Sequence, residues 1–174
     1  VFGLNKSIII ENGVNLNRFN ADSTISSIRK ELAIPKDEFI IGFVGRITLQ
    51  KSPLDFIDSI AIAHKNNPQI KGLIVGEGDM KNEMISYIKN KGLDDCLYIT
   101  DFRTDIPQVL QAIDVFCLPS LWEGLSIALL EAMAMRKPVV VTPTDGTREV
   151  IRHRYNGLIV GFNQPDLLAK AYME

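Results

Sequence analysis

Histidine and cysteine are scarce in this chain, and their scarcity removes several chemistries at once. There are two of each in 174 residues. His64 and His153 are far apart, both read as surface residues, and no metal-ligand spacing exists. The chain contains no Asp-x-Asp, so no acidic pair of that type is available to hold a cation on a diphosphate. Cys117 lies in the apolar run Val115-Phe116-Cys117-Leu118 and reads as a small buried hydrophobe. Two such thiols point to a reduced, cytoplasmic setting. No stretch approaches the ~20 apolar residues needed to span a bilayer. An excess of one charge is also lacking. Lys and Arg number 19 against 21 Asp and Glu, for a net charge of −2, which argues against a nucleic-acid surface. The opening Val1-Phe2-Gly3-Leu4-Asn5-Lys6 has no signal-peptide pattern and no initiator Met. It reads as the start of a piece cut from a longer chain.

What is present is an ordinary globular balance, 46% hydrophobic and 23% charged, in a length suited to one domain with a proper core. Short apolar runs alternate with longer helical patterns. The runs are Ser7–Ile10, Phe39–Val44, Gly72–Val75, Leu97–Ile99, Val115–Leu118, Pro138–Thr142 and Leu158–Val160. Most are continuously apolar, as strands covered on both faces are. Helical patterns lie near Ser23–Leu32, Leu54–Asn66, Met80–Lys91, Ile106–Ala112, Ser126–Met135 and Thr147–Ile151, and a last one begins near Pro165. This alternation predicts an α/β fold: a doubly wound, Rossmann-like parallel sheet with helices on both faces. Ligands of such sheets bind at the carboxyl ends of the strands.

The loops after the strands are glycine-bearing. They are Asn12-Gly13-Val14, Gly45-Arg46, Gly76-Glu77-Gly78, Glu123-Gly124 after Pro119-Ser120, and Asp145-Gly146-Thr147-Arg148-Glu149. Glycine there permits unusual φ or close backbone approach to a ligand, although βα loops also use it for geometry alone. Glu123 stands in a turn-like stretch after an apolar strand, and Glu131 lies two turns into the following helix. Two glutamates eight apart are most often solvated surface charges. Here they can face one ligand together with the backbone N–H groups of Gly124 and Leu125. Carboxylates suit sugar hydroxyls, and a helix N-terminus suits phosphate. Arg46 and Lys51, in Gly45-Arg46-Ile47-Thr48-Leu49-Gln50-Lys51, can converge on a diphosphate, one as a fork and one as a point charge. With no acidic pair for a metal, they and the helix start near Leu125 would stabilise the charge that grows on a leaving diphosphate. Trp122 could stack on a base or sugar, but packing is the expected role.

Six motifs in order resemble the C-terminal, donor-binding domain of a GT-B glycosyltransferase of family 4, the group 1 glycosyltransferases. Asn12-Gly13-Val14 with Phe19 resembles its N-G-V-D…F opening, and Gly45-Arg46 to Lys51 resembles G-R-x-x-x-x-K-G. Val75-Gly76-Glu77-Gly78 resembles V-G-x-G, and Asp114 to Ser120 resembles the strand leading into P-S. Glu123 to Glu131 resembles E-x7-E, and Gly146-Thr147-Arg148-Glu149 with Asn156-Gly157 resembles the closing elements. The resemblance covers nearly the whole chain. It implies a donor site of Gly45, Arg46, Lys51, Gly76, Gly78, Glu123, Gly124, Leu125, Ser126 and Glu131, with Arg46, Lys51 and Glu123 catalytic. Arg46 and Lys51 would bind the diphosphate, Glu131 the ribose and Glu123 the donor sugar. It further implies a retaining transfer from a UDP- or GDP-sugar with no metal and no other cofactor. An N-terminal acceptor domain would be missing from residues 1–174, and through it the parent would meet the inner face of the membrane. Asn15, Ser52, Asp101 and Asp145 depart from the usual Asp, Gly, Gly and Gly.

Two other readings stay open on these residues. One is a different GT-B enzyme, such as a nucleotide-sugar 2-epimerase or a glycogen-synthase relative. The other is a non-catalytic doubly wound module that regulates or binds a protein, which fold alone does not exclude.

Overall fold

The computed structural model describes residues 10–174. Most of the strand expected over Ser7–Ile10 lies outside the described residues, and Ile10 itself is an exposed loop residue. Six strands follow: β1 Phe39–Val44, β2 Ile70–Val75, β3 Leu97–Thr100, β4 Val115–Leu118, β5 Val139–Val141 and β6 Leu158–Ile159. They form one sheet in the order β3-β2-β1-β4-β5-β6, and every pairing is parallel. The helices are α1 Ile28–Glu31, α2 Pro53–Asn66, α3 Lys81–Lys91, α4 Ile106–Ala112, α5 Ile127–Ala134, α6 Asp145–Val150 and α7 Pro165–Ala171. The α/β doubly wound arrangement is thus the one the alternation of runs predicts.

Period-two alternation in β1 divides the core. Ile41 and Phe43 face one layer with Phe56, Ile57 and Ile60 of α2 and Leu168 of α7. Ile40 and Val44 face the other with Val109, Leu110 and Leu129 of α4 and α5. Each such side chain, buried to within a few per cent, contributes about 1.5–3 kcal/mol. Gly42 is small for a packing reason. A Cβ there would lie 2.5 Å from Ile113 Cδ1.

Two boundaries differ from the sequence reading. The pattern at Ser23–Leu32 yields only the single turn Ile28–Glu31, because Ser26 and Arg29 instead hydrogen-bond the backbone of the α4 region, at Gln108 O (2.7 Å) and Ala112 O (2.8 Å). The helix expected from Thr147 starts at Asp145. Asp145 therefore sits in a helical first turn, where its charge complements the dipole.

One buried polar chain ties α2, α7 and β4 together. Tyr172 OH meets Ser59 Oγ at 2.8 Å and Cys117 Sγ at 3.0 Å. Burial pushes the Cys117 thiol up to about 12 and the Tyr172 phenol well above its usual range, so both stay neutral. Tyr172→Phe removes the hydroxyl but leaves Ser59 bonded to Phe56 O. It is expected to cost about 1 kcal/mol, read as a lower urea midpoint with an unchanged m-value.

Candidate functional site

The chain order places a topological switch at the middle of the sheet. From β1 the chain winds outward to β2 and β3, then returns to the other side of β1 as β4. The loops leaving β1 and β4 therefore part at the carboxyl edge and leave a crevice between them. These are the loops carrying Gly45–Lys51 and Pro119–Ser126.

Glycines let neighbouring loops close over this edge. A Cβ on Gly76 would lie 1.9 Å from Gly45 O, one on Gly78 2.1 Å from Ile47 O, and one on Gly146 2.2 Å from Gly124 O. The approach is held by Gly45 N–H donating to Val75 O (3.0 Å) and Ile47 N–H donating to Glu77 O (2.8 Å). The result is a cavity of about 480 Å³ lined by Gly45, Arg46, Gly76, Glu77, Gly78 and Glu131, with Phe102, Arg103, Ile106 and Ala128 on its far wall. A larger hollow, about 610 Å³, opens at the opposite edge, where β1, β4 and β5 begin. Its only charged lining groups, Arg154 and Glu174, pair with each other, so the smaller cavity at the switch point is the stronger candidate of the two.

Glu131 has no hydrogen-bond partner among the described residues and is half-buried on the cavity wall. Desolvation raises its carboxyl above the usual value, opposed by the positive charge of Arg18. Arg18 is anchored by its donation to Thr104 O at 2.8 Å. An acid whose folded value is raised loses stability as pH climbs from its unfolded value, near 4.5, through its folded one. Glu131→Gln is therefore expected to raise the melting temperature of the unliganded protein at pH 7. The advantage should vanish below about pH 4, where both states are protonated. Melting curves across pH 3.5–7.5 check this.

Lys51 and Glu123 border the cavity rather than line it. Lys51 ends a 3-10 turn, Leu49–Lys51, and Ser52 then takes a left-handed φ of 50° to start α2. That conformation explains why glycine suits the position. Here Ser52 Oγ donates to Asp55 Oδ2 (2.8 Å). The turn drives the Lys51 side chain inward, where its Nζ meets Glu123 Oε1 at 2.5 Å with side-chain exposures of 8% and 15%. Glu123 Oε2 accepts from Ser120 Oγ at 2.9 Å, and Ser120 is fully buried. Gln50 links the two loops, since its Nε2 donates to Trp122 O (3.0 Å) and its own O accepts from Leu121 N (2.8 Å).

Arg46 is exposed, and its guanidinium meets only Gln50 Oε1, at 3.4 Å, among the described residues. The N–H groups of Gly124, Leu125 and Ser126 find no acceptor among the described residues, and Ser126 precedes α5 without a side-chain cap. Trp122 is 55% exposed, which corrects the expectation that it packs. Its carbonyl, not its ring, is what the fold uses.

The sequence reading missed the wall made by Phe102 and Arg103. It selected loops by glycine, and the loop after β3 has none. Arg103 is locked by Asp105 (2.9 Å) and Glu31 (2.6 Å), and the Asp105 hydrogen bond is the main cause of its raised pKa. Asp101, one of the departures noted above, is exposed and accepts with Glu77 from Lys81. Among the described residues no group of three or more His, Cys, Asp or Glu side chains is arranged to hold a metal ion. None of the described helices is long and apolar enough to cross a membrane.

Residues 24–174 match the model of the family described as glycosyl transferases group 1. The chain belongs to that family. It is 32% identical over 170 residues to the UDP-Gal:alpha-D-GlcNAc-diphosphoundecaprenol alpha-1,3-galactosyltransferase of Escherichia coli, across 95% of this chain and 44% of that protein. Among solved structures it resembles Anabaena Alr3699/HepE in complex with UDP and glucose, with a TM-score of 0.85 and 29% identity, over 94% of this chain and 45% of that one. It also resembles the C-terminal domain of the group 1 protein LpcC from Francisella tularensis, with a TM-score of 0.77 and 27% identity, over 91% of this chain and 85% of that domain. The chain spans less than half the length of the full-length relatives it matches. The fold is that of GT-B glycosyltransferases, and nucleotide-sugar enzymes are its kin.

Proposed function

We propose that this chain is the donor-binding half of a retaining group 1 glycosyltransferase that uses a UDP-sugar. The observation that carries the reading is the convergence, at one switch-point crevice, of an exposed guanidinium, a half-buried carboxylate with no hydrogen-bond partner among the described residues and an uncapped helix start. Arg46, Lys51 and the amides of Gly124, Leu125 and Ser126 take the diphosphate. Glu131 accepts from the ribose hydroxyls, Glu123 from the donor sugar, and the Phe102–Ile106 wall shields the base. The galactosyltransferase of E. coli and the UDP complex of HepE support uridine as the nucleoside.

Chemically, the site stabilises a leaving group. As the sugar–phosphate bond breaks, negative charge grows on the diphosphate, and preorganised donors hold it better than water does. In this reading the positive charge that balances it comes from Arg46 and Lys51 rather than from a metal ion. The acceptor and the residues that contact it come from the remainder of the parent chain, so the catalytic cleft is shared between two domains. An acceptor carried on a lipid, as in the E. coli relative, would bring that other half to the inner face of the membrane.

Titration of residues 1–174 with UDP tests the reading. The expected dissociation constant lies in the range of about 10 μM to 1 mM, or roughly −4 to −7 kcal/mol, unchanged by EDTA. Sugar transfer by the isolated chain should be undetectable, because the acceptor is not held in place. Absence of UDP binding overturns the donor site. A strict Mg²⁺ requirement overturns the metal-free reading, and robust turnover by this chain overturns the two-domain account.

A further inference from the structure

The donor-site reading gives Lys51 and Glu123 different partners, phosphate and sugar, yet in this structure they hold each other at 2.5 Å in a nearly dry setting. Both tasks cannot be met from that pose without cost. A diphosphate brought to Lys51 would also approach the Glu123 carboxylate, and like charges in a half-buried site repel strongly. One of the two side chains must move.

The surroundings decide which. Glu123 is anchored at its second oxygen by the fully buried Ser120 hydroxyl, and Ser120 is itself held through its carbonyl, which accepts from the buried Thr142 Oγ1 at 2.5 Å. Among the described residues Lys51 has only the carboxylate as its side-chain partner. Its four-carbon stem runs past Gly45, with Cε 3.8 Å from where a Cβ on that glycine would stand. Gly45 precedes Arg46, so a modest rotation of the stem carries the ammonium from Glu123 toward the Arg46 side of the crevice.

We propose that Lys51 is exchanged between Glu123 and the donor diphosphate, and that Ser120 is the positioning residue that keeps Glu123 in place when the lysine leaves. Diphosphate draws the ammonium away and frees Glu123 Oε1 to accept a hydroxyl of the donor sugar. The two halves of the donor are thereby coupled. A nucleotide-sugar satisfies both Lys51 and Glu123. UDP alone takes Lys51 and leaves the carboxylate without a cation, so the spent nucleotide is held less well than the intact donor. This inference rests on the donor-site reading above.

Calorimetry with UDP, UDP-glucose and UDP-galactose on the wild type, Glu123→Gln and Ser120→Ala tests it. Glu123→Gln removes the competitor for Lys51, so it should bind UDP about tenfold more tightly, the scale of one charge-assisted hydrogen bond. It should also lose the wild type's preference for a UDP-sugar over UDP. Ser120→Ala should lower that preference several-fold without the tenfold gain for UDP. A purely structural role for Ser120 would weaken all three ligands equally. Unaltered or weaker UDP binding by Glu123→Gln overturns the exchange. A readout free of any variant is the ¹⁵N signal of the Lys51 ammonium in wild-type protein, which should shift with UDP and not with uridine. UDP binding with that signal unmoved overturns the exchange alone. No UDP binding at all overturns the donor site and the exchange with it.

Discussion

Arg46→Ala is expected to weaken UDP binding about a hundredfold while leaving uridine binding within about twofold. A loss near 2.7 kcal/mol lies within the range for hydrogen bonds to charged groups, and a guanidinium that forks two phosphate oxygens belongs at its upper end. The substitution is also clean. Arg46 is exposed, and among the described residues its guanidinium hydrogen-bonds only Gln50, at the long distance of 3.4 Å, so its removal should leave no buried group unpaired and the melting temperature within a degree or two. Lys51→Ala is the contrasting case. It strips the cation from Glu123, whose side chain is only 15% exposed, and should therefore lower stability as well as affinity. Calorimetry with UDP and uridine, run beside a melting curve, separates the two. Equal losses for both ligands in Arg46→Ala would remove this residue from the phosphate site.

Gly76→Ala is expected to lower folding stability by about 3 kcal/mol, the upper end for overpacked sites, and to abolish measurable UDP binding. Its Cβ would stand 1.9 Å from Gly45 O and 3.0 Å from Gly45 C. Both are backbone atoms that no rotamer change can withdraw. The clash can be relieved only by parting the β1 and β2 loops, which breaks the Gly45 N–H bond to Val75 O and opens the cavity floor. Gly124→Ala is the control, because nothing lies within 4 Å of its Cβ position and its φ is not in the left-handed region. It should fold as the wild type does. Urea denaturation gives the stabilities, and a Gly76→Ala protein of wild-type stability would show that the loops part without cost.

Much of the architecture was legible because its causes are local. All six described strands lie within two residues, at each end, of the apolar runs that predict them, since continuous apolar runs flanked by turn residues have few alternatives. Ser23–Leu32 was misread for a reason absent from its own residues. Its polar side chains bond carbonyls some 80 residues away, and no periodicity reports that. Trp122 was misread because an aromatic beside an apolar strand is usually core, whereas this one lies beyond the strand, where the chain turns outward at the sheet edge.

The site divides along the same line. Arg46, Lys51, Glu123 and Glu131 are candidates from motif order and chemistry alone, because the polyanionic, hydroxyl-rich ligand proposed here would demand such side chains after those strands. Phe102 and Arg103 carry no such mark. They become part of the cavity only because parallel pairing of β2 with β3 sets their loop beside Gly76. The state of the functional groups was likewise beyond the sequence. That Arg46 meets only Gln50 and Glu131 no partner among the described residues, while Lys51 is bound to Glu123, depends on distances between loops that are 72 residues apart in the case of the ion pair. Residue types, the alternation of strands and helices and the chemistry on offer follow from short-range pattern, which the sequence carries. Which charges meet and which are left open is decided by the winding of the sheet, since only the crossover from β3 back to β4 brings those loops to the two sides of one crevice.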